Sequence, residues 1–444
     1  MPYTAPTLSQ AQTALAARLY DPGLVHWSAD ELTVYIREAL RVWNAWTATW
    51  RDRASFVTTL AEPFYDLPTE IPTLRASTVT NWELMTQLEY MLLEPPTPSV
   101  WTGSDQFTLQ QLSDAIQRRR DQFMRDTGTV VQRTVVAYAS PPADGRITLD
   151  ESVLIIRRAA WTVDATAVIR PLTRTDEWAG THYQPGWPTS TQSPSAYAIS
   201  ATPPLTMQLI PPATTDGTLD LVAVTKGDPL DPLVETSLGV PDDWAHVILF
   251  GALADLLGGD ALALDPERAK YCAERYAQGV ELANEANVVL AARINDVTCL
   301  VGSLSDADSY SPLWQLVPGT PRRVLLSGQN LLAVWPPPGV TGGQWTITLD
   351  VVQNAPVPTL VTDILQVSAD VYDSILDYAQ HLAIFKEGPQ QLQTATALLE
   401  RAARATGVTM RIQQASQPDR GPLLGQTHQD ERSLARELDP VSVS

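Results

Sequence analysis

Five histidines, two cysteines and 50 acidic residues are the side chains of this 444-residue chain best suited to chemistry, and their spacing decides what they can do. His26, His182, His246, His381 and His428 stand apart, without a His-Glu-x-x-His or other paired spacing that would put two imidazoles on one metal. His246 and His381 fall in stretches of helical period and read as helix-face or interface residues. The run DADSYS (306–311) alternates oxygen-bearing side chains but lacks the glycine and closing glutamate of a calcium loop, and reads as a plain loop. In PDDW (241–244), Asp242 and Asp243 could act as a carboxylate pair, yet they stand where acids complement a helix N-terminus. Cys272 and Cys299 fit neither a disulfide framework nor a zinc pattern, and are expected to be buried free thiols in a reducing compartment. Phosphate-loop, dinucleotide and nucleophile-elbow motifs are all missing. The expectation is a protein with no catalytic residues, no cofactor and no metal; a hydrolase assembled from distant acids is the enzymatic rival.

Thirteen tryptophans carry more information. Trp43, Trp46 and Trp50 recur at helical spacing, as core or helix–helix contacts do. Trp178, Trp187, Trp314, Trp335 and Trp345 lie at strands and strand ends, the placement a carbohydrate-binding face would also use.

Charge narrows the choice of partner. Thirty basic residues, with Lys226, Lys270 and Lys386 the only lysines, leave a formal charge of −20. A surface built to grip phosphates needs clustered positive charge; this one suits solubility, or a wall past which a polyanion slides. The first residues, MPYTAPTLSQAQ, show no signal-peptide pattern, and the longest apolar stretch, VILFGALADLL, is too short to span a bilayer. Synthesis in the cytoplasm, without a membrane partner, is the expectation.

The elements that must position these residues occur twice. HWSADELTVYIREALRVWNAW and QFTLQQLSDAIQRRRDQF align 80 residues apart, pairing Trp27 with Phe107, Ser28 with Thr108 and Leu32 with Leu112. Ser28-x-x-Glu31 and Thr108-x-x-Gln111 both read as capping boxes, with Trp27 and Phe107 placed as staples. Further on, LTMQLIPPATTDGTLDLVAV (205–224) and LLAVWPPPGVTGGQWTITLDVV (331–352) each read as strand, prolines, turn and strand. Trp187 pairs with Trp314, Pro194 with Pro321 and Ile248 with Ile375 at 127 residues, and Pro211 with Pro336 at 125. Each hairpin is followed by a pair of helices. Residues 146–163 and 165–178 read as further strands, and 182–195 as a loop.

The fold class that follows is α+β, with antiparallel helix pairs packed on small, mostly antiparallel sheets, internally duplicated. The expected divisions are 1–145, a duplicated helix-pair-plus-strand region; 146–300 and 301–410, two sheet-plus-helix-pair units; and 411–444, an extended arm. That arm is polar and cannot form its own core, so Leu423, Leu424, Leu434 and Leu438 are its candidate docking residues.

ARLYDPGLVHWSADELTVYIREALR, then PFYDLPTEI (63–71), the sheet phrases RRAAWTV, PLTRTDEW, SPSAYAI, MQLIPPA and GTLDLVAV, and the closing VPDDWAHVILFGALADLL with DPERAKYCAERYAQGV follow one another in an order that resembles tailed-bacteriophage neck proteins, the head-to-tail connectors or adaptors. The resemblance spans residues 15–283 and rests on order and phrasing. It implies a structural virion protein and no enzyme: a homo-oligomeric ring, a dodecamer in the family, between the portal protein and a tail or nozzle protein. DNA would pass through its channel without specific binding, and assembly would take place in the host cytoplasm. A receptor- or glycan-binding or tail-fibre-attachment module is the alternative.

Overall fold

Thr108 accepts a hydrogen bond from the Gln111 amide while the Gln111 side chain answers the Thr108 amide, so a complete capping box opens the helix Leu109–Thr127. At the matching position Ser28 accepts from the Glu31 amide at 3.2 Å. The Glu31 carboxylate departs from the expected box, because Tyr35 Oη and Lys386 Nζ each donate to it at 2.6 Å. A buried ammonium outcompetes a cap amide for a carboxylate. Trp27 and Phe107, just ahead of the caps, are both buried.

The computed structural model describes residues 4–406 apart from 73, 75–76, 94–105, 139–143, 164–167, 184, 191, 201–204, 260–263, 312–313 and 340–343. Leu423, Leu424, Leu434 and Leu438 lie outside the described residues. The helices are α1 (Leu8–Arg18), α2 (Ala29–Thr47), α3 (Leu67–Glu70), α4 (Asn81–Met91), α5 (Leu109–Thr127), α6 (Glu177–Tyr183), α7 (Ala245–Gly258), α8 (Pro266–Glu285), α9 (Leu304–Tyr310), α10 (Ala369–Phe385) and α11 (Leu392–Thr406). Four strands come early: β1 (Arg51–Val57), β2 (Phe64–Asp66), β3 (Val131–Tyr138) and β4 (Arg146–Thr148). Then follow β5 (Val153–Val163), β6 (Val168–Pro171), β7 (Thr173–Arg174), β8 (Ala196–Ser200), β9 (Thr206–Ile210) and β10 (Gly217–Thr225). The last are β11 (Val289–Ile294), β12 (Val297–Ser303), β13 (Arg323–Ser327), β14 (Leu331–Trp335) and β15 (Thr346–Val352). The chain is α+β.

Strand order makes the duplication explicit. One sheet runs β1-β15-β11-β12-β13-β14-β2. Two four-stranded sheets, β3-β10-β5-β6 and β4-β9-β8-β7, meet at Leu172, whose amide bonds Ala159 O while the next amide, Thr173, bonds Ser195 O. With β6 and β7 taken as one strand that changes partner, the order becomes β3-β10-β5-β6/β7-β8-β9-β4, strand for strand the same. Register repeats too. Thr173 faces Ala196 in parallel where Leu300 faces Arg323; Ala196 faces Ile210 where Arg323 faces Trp335; Ile147 faces Met207 where Tyr65 faces Leu332. Even the bulge recurs: β5 skips Arg157 against β10, and β11 skips Leu290 against β15. The parallel pairs need a crossover, and α6 and α9 supply it. The 3₁₀ turns beginning at Trp187 and Trp314 follow these helices, and each indole Nε1 donates six residues back, to Thr181 Oγ1 at 3.1 Å and Asp308 Oδ1 at 2.9 Å.

The two sequence repeats are therefore parts of one. An inner copy runs unbroken from α4 to α8. An outer copy is split around it, with α1, α2, β1 and β2 before and β11 to α11 after. The insertion falls where the inner copy has its own short β4–β5 link, residues 149–152. Residues 1–145 thus feed strands into different sheets: β1 and β2 join the outer one, β3 and β4 the inner.

By contacts the chain forms two compact units, residues 1–39 with 358–444, and residues 40–357, instead of consecutive segments. Inside the first unit the Leu8 amide bonds Asp363 O and the Leu365 amide bonds Pro6 O. Inside the second, the Asn81 amide bonds Thr236 O and the Leu238 amide bonds Val79 O, the inner version of the same bridge.

The cores correspond position by position. Met207, Leu209, Leu219, Leu221 and Ala159 fill the inner sheet core; their register counterparts Leu332, Val334, Ile347, Leu349 and Ala292 fill the outer. Where volume changes, it is exchanged: Trp161 lies against Gly217 in the inner copy, and Ile294 and Trp345 take those places in the outer. Conserving total volume is what a close-packed core tolerates best.

Three local expectations need correction. DADSYS is no loop: Asp306 to Tyr310 lie in α9, opened by a capping box between Ser303 and Asp306. Residues 146–163 are two strands broken at 149–152, and Trp50 lies beyond the end of α2.

Candidate functional site

The largest concentration of charge chemistry lies on the seam between the inner and outer copies, within residues 40–357. Asp220 on β10 is bound by Arg133 of the neighbouring β3, Nε at 3.1 Å and Nη2 at 3.3 Å. Arg158 on β5 approaches the same carboxylate at 3.7 Å and gives its Nε to Asp308 on α9 at 2.7 Å. Arg133 Nη1 crosses the seam to Glu62 at 3.3 Å. Both guanidiniums cover the ring of Phe64 on β2, at 4.2 and 5.8 Å from its centroid. Phe64 in turn meets Trp314 edge-on at 5.8 Å, and Trp314 holds the other oxygen of Asp308.

Beside these charges the backbone is tied as well. The β13–β14 turn inserts at the end of α5: the Gln329 amide bonds Thr129 O at 2.6 Å, and the Asn330 side chain brackets Val131, accepting from its amide at 2.9 Å and donating to its carbonyl at 2.8 Å. Gly328, at φ 62°, must be glycine for a second reason: a Cβ there would lie 2.9 Å from the carbonyl oxygens of Gly128 and Thr129. Gln329 also accepts from Trp244 Nε1 at 3.3 Å.

An open cleft of about 890 Å³ lies along this seam, with Arg157, Arg158, Arg174, Asp308, Ser303 and Gln329 on its walls. Its central acid, Asp308, is held by Arg158 and Trp314. The arrangement is one of mutual charge satisfaction across an interface, and what it does chemically is hold two copies of a module together.

The residues singled out by sequence take structural positions. Asp242 accepts from the Thr78 and Val79 amides at 2.6 and 2.8 Å, from the Thr78 hydroxyl and from Asn354 Nδ2 at 3.0 Å; Asp243 accepts from Asn44 Nδ2 at 2.7 Å. They precede α7 as expected, but serve as buried acceptors for distant segments. His381 is buried with Nδ1 2.9 Å from Ala395 O. Cys272 and Cys299 are free, the first buried and the second partly so, and burial pushes both thiols up. Among the described residues, no three of His, Cys, Asp and Glu gather as a metal site, and no helix is long and apolar enough to cross a membrane. Trp187 and Trp314 are buried and Trp335 and Trp345 partly buried, leaving Trp178 the exposed member of that set. Sequence reasoning missed Arg133, Arg158, Glu62 and Phe64. An arginine set directly in an apolar strand stretch, as in RRAAW (157–161), was the available signal.

His246 on α7 is wholly buried with Nδ1 2.9 Å from Asp243 O, and burial pushes its pKa down to about 4 against that bond's opposing pull. The unfolded chain protonates it near 6.5. Its contribution to stability is thus complete above pH 6.5 and falls away as pH drops through 4, by on the order of 3 kcal/mol at ~1.4 kcal/mol per unit. His246→Gln, which keeps a donor for Asp243, is expected to flatten the urea midpoint between pH 6.5 and 4. An unchanged pH slope would place the acid sensitivity elsewhere.

Fold and seam together define a duplicated α+β module that packs against its own copy. No protein family matches the sequence, and no curated protein matches it.

Proposed function

We propose that this chain is a structural virion protein that forms a ring at a phage neck, between portal and tail, with DNA passing through its lumen. The observation that carries the reading is the seam. Two copies of one module meet through different faces, the end of α5 and β3 on the inner copy and the β13–β14 turn, Glu62 and Asp308 on the outer. A contact between unlike faces propagates, and closes into a ring where its rotation allows. The net charge of −20 supports a lumen that passes DNA without holding it, since each Lys or Arg contact would add retention. The arm beyond residue 410, with Leu423, Leu424, Leu434 and Leu438, would reach the portal or the next ring. Electron microscopy of the purified protein, alone and mixed with a portal assembly, is the test. Closed rings of one symmetry are expected; a protein that stays monomeric in both samples overturns the proposal.

A further inference from the structure

Because the inner and outer copies contact one another through unlike faces, each has one face in use and one in reserve. The face used by the inner copy is the segment after α5: Thr129 and Val131 are buried under the β13–β14 turn, and Arg133 reaches Glu62. Its outer counterpart follows α2. The local geometry is the same, for Thr127 Oγ1 bonds Phe123 O and Thr129 Oγ1 just as Thr47 Oγ1 bonds Trp43 O and Thr49 Oγ1. Gly128 and Ala48 both leave their helices at positive φ, 60° and 49°. Yet Thr49, Arg51 and Arg53, the register counterparts of Thr129, Val131 and Arg133, are exposed.

The receiving face shows the converse. On the outer copy it is Glu62, Phe64 and Asp308. Strand register maps the first two onto Asp144 and Arg146 of the inner copy, the matching indole bonds of Trp314 and Trp187 map Asp308 onto Thr181, and all three are exposed. The acid is held in the same way at both sites: Glu62 accepts from the Phe64 amide at 3.2 Å, and Asp144 from the Arg146 amide at 3.1 Å. The inner counterpart of the β13–β14 turn includes residues 201–204, which lie outside the described residues.

One charge pair of the seam, Arg133 with Glu62, has a counterpart of the same signs on the two reserve faces. Arg133 binds the carboxylate of its own sheet, Asp220, through Nε and crosses to Glu62 through Nη1. Arg53 binds the carboxylate of its own sheet, Asp350, through Nε at 2.7 Å, with its side chain 57% exposed. Arg53 and Asp144 would thus repeat the Arg133–Glu62 pair. The second seam pair, Arg158 with Asp308, becomes Ala291 with Thr181, both charges lost together. Arg146 takes the place of the Phe64 ring.

We propose that the exposed face at Thr49 to Arg53 of one molecule docks on the face at Asp144 to Arg146 of a second copy, pairing Arg53 with Asp144. The proposal rests on the ring reading: subunits would join as the copies join within a subunit, and the ring would be one continuous series of modules. Its test compares Arg53→Glu, Asp144→Arg and the double exchange with the full-length chain by mass photometry and sedimentation over a concentration series. Each single exchange is expected to move assembly to at least ~30-fold higher concentration, since it sets like charges against each other, and the double exchange to restore it to within about threefold. Circular dichroism and melting of the monomers check that these exposed changes leave the fold intact. Single variants that assemble like the parent, or a double variant that stays impaired, overturn the pairing and leave the ring reading standing. A parent chain that never leaves the monomer, alone or on the portal, overturns both.

Discussion

Replacing Lys386 with methionine should destabilise the unit built from residues 1–39 and 358–444 by about 3–5 kcal/mol, because it strands a buried carboxylate. The Lys386 and Glu31 side chains are only 7% and 4% exposed, and their 2.6 Å contact spans the start of α2 and the end of α10. Tyr35 also donates to Glu31, which leaves the acid that hydrogen bond but, among the described residues, no countercharge. Hydrogen exchange of the α1, α2 and α10 amides would report the loss directly. Adding Glu31→Gln to Lys386→Met should recover most of it. Glutamine is what the inner copy carries at this place, as Gln111, where it completes the capping box. A double variant no more stable than Lys386→Met would show that the loss comes from packing of the lysine stem and not from the stranded charge.

Arg158→Met is expected to cost a similar ~3–5 kcal/mol and to loosen the seam specifically. Arg158 is 6% exposed at its side chain and serves two acids, Asp220 at 8% and Asp308 at 18%. Asp220 keeps Arg133, but among the described residues Asp308 keeps only the Trp314 indole. The inner and outer sheets should then unfold as separate transitions in urea, each retaining its own core. Asp308→Asn in the Arg158→Met background should restore part of the coupling, since a neutral amide oxygen still accepts from Trp314. A single sharp transition, unshifted, would mean that the turn at Gly328 to Asn330 carries the seam alone.

Much of this protein is legible in one dimension. Alternating apolar residues, prolines at strand ends and capping signals such as Thr108 with Gln111 are local, so helices, hairpins and the two repeat spacings can be read directly. The α+β class follows from them. What only the tertiary structure decided is which copies of each element belong together. A strand's pattern sets the face it buries but not the partner it pairs with. Because the hairpins at 205–224 and 331–352 are copies, β1 and β3 fit either one by pattern alone; the fold sends β1 to β15 and β3 to β10, so two repeats become one module inserted into another. The same is true of charge. Glu31 reads as a capping residue until Lys386, 355 positions away, arrives beside it, and Arg133 reads as one exposed strand residue among many until Glu62 and Phe64 meet it across the seam. Local hydrogen bonds are written in neighbouring residues, whereas burial that turns a surface charge into a cross-link exists only once remote segments have packed.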